Sequence, residues 1–286
     1  MSAGEREQFL LATEHFTIEG RTRAGHETWF RVRELNIGLD IGRCPDALLS
    51  IGNIFVTHAH LDHAAGIPYY AGQRQLQGLP PGRVFIPSEA LDDFRALMAI
   101  HTRLEGVHYD MELVGMAPGD LVKISRTLWA RAHRATHRVA ARAYEIIDWR
   151  HHLKPEFFGR DGRELADLRA AGTQIHDQIE VPILFYTGDT DRGILEENEA
   201  IYKAEVLMME CSFVAEGHQG RAEKYRHIHF DDIADFAERF ENRLIVLTHF
   251  SRRYSRDEIV EMLRRRCPAV LRDRIRLAFP EQWQKL

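Results

Sequence analysis

Apolar and polar residues alternate from Phe9 to Gly42, with glycines between short runs: Phe16 and Ile18, then Trp29, Phe30 and Val32, then Ile37, Leu39 and Ile41. Successive strand residues point to opposite faces, so these runs predict an antiparallel N-terminal sheet. Asn53 to Thr57 reads as a short apolar strand, followed by a helix over Ala64 to Gln77 whose start Gly66 loosens. Arg83 to Pro87 is a further strand. Ser88 stands where it would cap a helix with Leu91, Phe94, Leu97 and Met98 at helical spacing. Residues 111 to 148 return to strand patterning.

Trp149 to Asp177 is charged and weakly patterned, with a short helix expected near Glu164 to Arg169. Without an apolar stripe to bury, this stretch is expected to project as an arm. The second half repeats one arrangement. Val181 to Tyr186 runs into Thr187-Gly188-Asp189-Thr190, Val206 to Met209 into Glu210, and Leu244 to Thr248 into His249. Continuous apolar runs of this kind predict strands buried on both faces. Phe230, Ile233, Ala234, Ala237 and Phe240 make one helical face, with His227 and His229 at its start. Ser255 and Glu258 form a capping-box pattern before Ile259, Met262 and Leu263. This order of elements predicts an α/β fold, an αββα four-layer sandwich, with residues 1–286 as a single domain and the arm at about 149–177.

The 44% apolar and 28% charged composition is that of an ordinary globular chain with ample core. A net charge of −5 argues against a generally basic nucleic-acid binder, so a polyanion would have to meet a local patch. The candidates are Arg126, Arg131, Arg134, Arg138 and Arg142, which have no acid between them, with Arg252 and Arg253, and Arg150 and Lys154 of the arm. Cys44, Cys211 and Cys267 are isolated, which argues against a disulfide framework or a cysteine-bound structural zinc. The N-terminal MSAGEREQFLLATEH does not read as a secretory signal. No apolar run approaches the ~18 residues of a membrane span, so a cytoplasmic protein is expected.

The chemistry concentrates in Phe55-Val56-Thr57-His58-Ala59-His60-Leu61-Asp62-His63, directly after an apolar strand. In extended chain, His58 and His60 point to the same side and can grip one ion. Asp62 and His63 follow where the chain turns and can reach a second. Imidazole and carboxylate ligands without thiolate suit an open, hydrolytic Zn²⁺ site, although Mn²⁺ and Fe²⁺ tolerate the same donors. Asp189, Glu210 and His249 each end an apolar strand, the edge at which ligands gather in layered α/β folds. Taken alone, Asp189 reads equally as a turn aspartate, His249 as a cap, and His137 as a strand histidine among arginines.

With His58-Ala59-His60-Leu61-Asp62-His63, His137, T-G-D-T around Asp189, E-C-S-F at Glu210 to Phe213, T-H-F-S-R-R-Y at Thr248 to Tyr254 and D-I-G-R-C-P at Asp40 to Pro45, the chain resembles the metallo-β-lactamase-fold hydrolases. More narrowly it resembles the short form of ribonuclease Z, the endonuclease that removes the 3′ trailer of precursor tRNA. It departs from that pattern at Ala143, where a Gly usually precedes the Tyr, and in lacking a long Gly/Pro-rich arm. The resemblance implies two Zn²⁺ per chain, His58, His60 and His137 holding one, Asp62, His63 and His249 the other, and Asp189 bridging. It also implies a homodimer, precursor tRNA as partner, and Asp62, Glu210 and His227 as catalytic residues. Glu210 could equally orient a metal-bound histidine. A hydrolase of a small phosphodiester, ester or thioester is the alternative within this fold. A binding module with structural metals is disfavoured by the open ligand set.

Overall fold

Two seven-stranded sheets organise the computed structural model, which describes residues 8–280 and 284–286. The reading of the N-terminus as non-secretory rests partly on residues 1–7, outside the described residues. The first sheet holds β1 (Phe9–Ala12), β2 (Thr17–Arg23), β3 (Glu27–Val32), β4 (Ile37–Ile41), β5 (Asn53–Phe55), β6 (Gly82–Pro87) and β7 (Met111–Met116), side by side in chain order. The second holds β8 (Leu121–Lys123), β9 (Leu128–Ala135), β10 (Ala141–Leu153), β11 (His176–Tyr186), β12 (Val206–Glu210), β13 (Leu244–Thr248) and β14 (Ile275–Leu277). Each sheet is antiparallel up to its fourth strand and parallel from there to its end. Parallel neighbours need crossovers, and the helices that supply them cover the outer faces.

Strand periodicity divides the core into three bodies. Phe30, Leu39, Phe55 and Phe85 of the first sheet meet Tyr144, Leu184, Met208 and Val246 of the second between the sheets. The alternate residues Ile54, Val56, Val84 and Ile86 face Ile67, Tyr70, Phe94 and Met98 on one outer side. Phe185, Leu207, Met209, Ile245 and Leu247 face Ile194, Phe230, Ile233 and Leu263 on the other. The continuous apolar strands are therefore buried on both faces, and the layers are helix, sheet, sheet, helix.

Several local expectations are corrected. Ile41 does not share a face with Leu39: the register slips between Trp29 and Phe30, and Ile41 packs with Trp29 in the outer cluster. The helix expected over Ala64 to Gln77 is two pieces, Leu61–Ala64 and Ile67–Leu76. Gly66 between them serves close approach, since a Cβ there would lie 2.5 Å from the Cys44 amide nitrogen. Ser88 caps nothing; it opens a 3-10 turn, and the helix Leu91–Glu105 starts after Ala90. Leu97 is 37% exposed, off the stripe that buries Phe94 and Met98. The helix after His229 is short, Phe230–Asp235, and continues as a 3-10 turn at Ala237–Arg239.

β10 and β11 outrun their neighbours. The β9 ladder ends at Asp148↔Leu128 and that of β12 begins at Leu184, whereas β10 and β11 stay paired out to Leu153↔His176. Residues beyond Asp148 thus form a two-stranded ribbon, which leads into a helix, Gly162–Ala170, capped by the Asp161 carboxylate. The three cysteines are unpaired and buried. No helix among the described residues is long and apolar enough to cross a membrane.

Candidate metal centre

The loops at the carboxyl ends of β5, β9, β11 and β13 meet at one edge of the sandwich, bringing together His58, His60, Asp62, His63, His137, Asp189 and His249. A bridge between His58 and Ala141, with the Arg142 amide donating to Thr57 O at 2.9 Å, ties the loop after β5 to the second sheet. The ligand atoms fall into two groups. His58 Nε2 is 3.0 Å from His60 Nδ1, His60 Nδ1 is 3.3 Å from His137 Nε2, and Asp189 Oδ2 is 3.7 Å from His58 Nε2. His63 Nε2 and His249 Nε2 are 3.4 Å apart, and each is 3.6 Å from Asp62 Oδ2. Asp189 reaches this second group as well, with Oδ1 3.5 Å from His63 Nε2 and Oδ2 3.3 Å from His249 Nε2.

These distances fit divalent ions. Tetrahedral ligand atoms at about 2.1 Å from zinc lie about 3.4 Å from one another. Asp189 is 3% exposed, and its Oδ1 has no hydrogen-bond partner among the described residues. An unpaired buried carboxylate oxygen is costly, and a cation between the histidines would satisfy it.

The far nitrogens of these rings are held too. Asp40, fully buried, accepts from His63 Nδ1 at 2.8 Å, from the Thr57 amide at 2.7 Å and from Tyr186 Oη at 2.6 Å. Ser212 Oγ is 2.9 Å from His249 Nδ1, and Arg226 O accepts from His137 Nδ1 at 2.9 Å. Such partners fix ring orientation and tautomer. The backbone is bent to reach these positions: Asp40 has φ 54° and His249 φ 58°. Left-handed backbone at non-glycine residues costs about 1–3 kcal/mol each and collects at functional sites. Asp40 is the extra residue of the β3–β4 slip, which turns its carboxylate into the centre. Gly188, also at φ 58°, is required because a Cβ there would lie 2.5 Å from Thr57 Cβ.

Burial lowers the proton affinity of His58, His60 and His137, leaving them neutral and able to coordinate. His63 is driven the other way: burial opposes its charge, but the Asp189 and Asp40 carboxylates hold it well above the usual histidine range. Asp189 is held far below the carboxylate range against its burial by His249 and His63.

Beside this centre, the buried Glu210 carboxylate accepts from His227 Nδ1 at 2.8 Å, Thr190 N at 2.8 Å and Ser212 Oγ at 2.7 Å. Burial alone would lower His227, yet the charge and hydrogen bond of Glu210 raise it to about 9. Its ring stands 5.1 Å from that of His137 and 5.4 Å from that of His249.

A family profile described as a Beta-lactamase superfamily domain matches residues 40–250. The tRNase Z TRZ1 of Arabidopsis thaliana is 35% identical over 252 residues, which cover 87% of this chain and 90% of that protein. This chain belongs to the tRNase Z family of the β-lactamase superfamily. A second Arabidopsis thaliana relative, tRNase Z TRZ2, chloroplastic, is 32% identical over 251 residues, 87% of this chain and 71% of that one. The crystal structure of human short-form tRNase Z shares the fold, with a TM-score of 0.52 at 18% identity over 84% of this chain and 86% of that one. Membership of the tRNase Z family, together with the His/Asp clusters, makes the chain a user of divalent metal.

In this tRNase Z-family chain, a cleft of about 720 Å³ opens over the ligands and is lined by His60, His137 and His227 with Arg23, Arg138 and Arg252. Arg253 lines it as well. Of the other candidate cations, Arg131, Arg142 and Lys154 are answered by acids distant in the linear sequence, and Arg150 by the nearby Asp148. Arg131 pairs with Glu145 at 3.0 Å and Glu180 at 2.7 Å, Arg150 with Asp148 at 2.8 Å, and Lys154 with Asp177 at 3.9 Å. Arg142 is buried against Met116 O and Glu89. Sequence reasoning missed the roles of Asp40, Thr57, Tyr186, Ser212 and Arg23. Asp40 and Ser212 stood inside motifs already singled out; nothing in the linear pattern marked Tyr186 or Arg23.

Proposed function

We propose that this chain is an endoribonuclease that cleaves the 3′ trailer from precursor tRNA by hydrolysis at two zinc ions per chain; Mn²⁺ or Fe²⁺ would suit the same donors. The observation that carries this reading is Asp189, whose two carboxylate oxygens face His63 on one side and His58 and His249 on the other. His58, His60 and His137 would hold one ion, Asp62, His63 and His249 the second, and Asp189 both. When bound, such a pair supplies charge for the phosphate and a water acidic enough to act near neutral pH. Gly25 N–H, 2.8 Å from Asp62 Oδ2, fixes that carboxylate at the centre. As water adds to phosphorus, giving up one proton to solvent, and the bond to O3′ breaks, His227 gives its proton to O3′, and Glu210 keeps the ring charged until then. Arg138, Arg252 and Arg253 meet flanking phosphates.

The ribbon and helix after Asp148 would dock the folded body of the tRNA. Leu61, Leu76 and Leu104, 78%, 79% and 77% exposed, support a homodimer through their helices. Three unpaired cysteines support the cytoplasm. The test is purified protein with precursor tRNA bearing a 3′ trailer, beside a small aryl phosphodiester. Release of the trailer with a 3′-hydroxyl on the tRNA is expected. Rapid ester hydrolysis with precursor tRNA left intact would instead favour the small-molecule hydrolase.

A further inference from the structure

The helix Gln219–Tyr225 ends in a left-handed residue, Arg226, with φ 56° and ψ 57°. Glycine is the usual occupant of such a helix end, because a Cβ there crowds the following carbonyl. Another residue type persists in this region only where its surroundings over-determine it. Here they do so from three sides. The Arg226 amide donates to Glu223 O at 3.1 Å, its carbonyl accepts from His137 Nδ1 at 2.9 Å, and its guanidinium Nη1 lies 3.1 Å from Asp191 Oδ2.

These contacts close on themselves. The Asp191 amide donates to Thr136 O at 3.0 Å, and Thr136 directly precedes His137 in the chain. Arg226 therefore holds the His137 segment twice, once at the ring and once through Asp191. The other oxygen of Asp191, Oδ1, accepts from the Gly193 amide at 3.0 Å, which fixes the carboxylate that Arg226 meets. A second circuit starts at His227, the next residue. It runs through Glu210, which accepts from His227 Nδ1 at 2.8 Å and from the Thr190 amide at 2.8 Å, and returns from Thr190 Oγ1 to the Thr136 amide at 3.2 Å. Both circuits pass through Arg226 and Thr136.

With right-handed angles at residue 226 the helix would continue. The Arg226 carbonyl would then lie along the helix axis, and His227 would be carried about 100° around it. The left-handed turn instead aims the carbonyl at His137 and, one residue later, a side chain at Glu210. Resting on the proposed function, in which His137 holds metal and His227 gives up the proton, we infer that Arg226 is a positioning residue common to both. Its ion pair with Asp191 keeps the backbone left-handed, and that backbone sets the His137 ring and the His227 side chain together. The guanidinium acts on the reaction through conformation rather than by touching RNA.

The experiment compares Arg226→Ala, Arg226→Gly and Asp191→Asn with the parent, each checked by thermal melting. Hydrolysis of a small aryl phosphodiester gives kcat free of RNA contacts, and competition with a chromophoric chelator gives the affinity for each zinc ion. Arg226→Ala keeps the strained angles and loses the ion pair, so kcat is expected to fall roughly 5- to 10-fold, with one zinc ion weakened by a similar factor and the other unchanged. Asp191→Asn, which nearly keeps the shape of the partner and removes its charge, should behave alike. Arg226→Gly loses the same ion pair but takes left-handed angles without strain, so it should recover kcat and zinc affinity to within about 2-fold of the parent. Equal losses in Arg226→Ala and Arg226→Gly would overturn the inference and leave the nuclease reading standing. So would a loss on precursor tRNA alone, with ester hydrolysis and zinc affinity intact in Arg226→Ala, since the guanidinium would then serve the RNA directly. A parent that binds no zinc and cleaves neither substrate would remove both.

Discussion

His63 Nδ1 lies 2.8 Å from Asp40 Oδ2, and both side chains are fully buried. With Nδ1 donating to this carboxylate, Nε2 is left to face Asp62, Asp189 and His249. Asp40→Asn removes the charge while nearly preserving the shape, so the second ion is expected to bind 10 to 100-fold more weakly, the range roughly seen for such outer partners. Competition with a chromophoric chelator measures it; affinity equal to the parent's would make Asp40 a packing residue only.

Asp189→Ala should abolish hydrolysis and lower the metal content, because one carboxylate serves both groups of ligands. Elemental analysis of parent and variant checks this, with two ions per parent chain expected. A fully active parent holding a single ion would sink the paired-metal reading.

His227→Ala is expected to lower kcat roughly 10² to 10⁴-fold with metal content unchanged, since a proton donor acts in the transition state. Joint loss of metal would make His227 a ligand. In the metal-free protein, an NMR titration of His227 should centre near pH 9 and fall in Glu210→Gln. The sign is that of a raised base: the His227–Glu210 pair stabilises the fold fully below the ordinary 6.5, and its contribution is lost as pH rises through about 9.

Replacing 149–177 by a short Gly/Ser loop should cripple precursor-tRNA cleavage while aryl phosphodiester hydrolysis survives within a few-fold. The ribbon pairs chiefly with itself, so its removal spares the ladders of the two sheets. Cleavage of precursor tRNA by the arm-less protein at the parent's rate would remove the docking role. Thermal melting of the arm-less protein distinguishes this from unfolding.

Much of the fold was legible because both-face burial writes itself as unbroken apolar runs, as in Val206 to Met209, and because His58, His60 and His63 sit close in sequence. Asp40 was not, since the slip between Trp29 and Phe30 reverses the alternation that would have placed Ile41 beside Leu39. The ribbon was hidden for the opposite reason: strands such as Trp149 to Leu153, with little face to bury, carry no period to read. The arginines from 126 to 142 looked uncompensated because Glu145 and Glu180 oppose Arg131 only across paired strands.

The bridge from His58 to Ala141 marks a seam along which neither half of the molecule owns the chemistry. His58, His60, Asp62 and His63 come from the chain before β8, and His137, Asp189 and His249 from the chain after β7. Each group of ligands draws on both. A cut at Pro118-Gly119, in the turn that joins the sheets, would therefore yield two fragments with incomplete donor sets, and any recovered hydrolysis on mixing them would report that the sheets had found each other again.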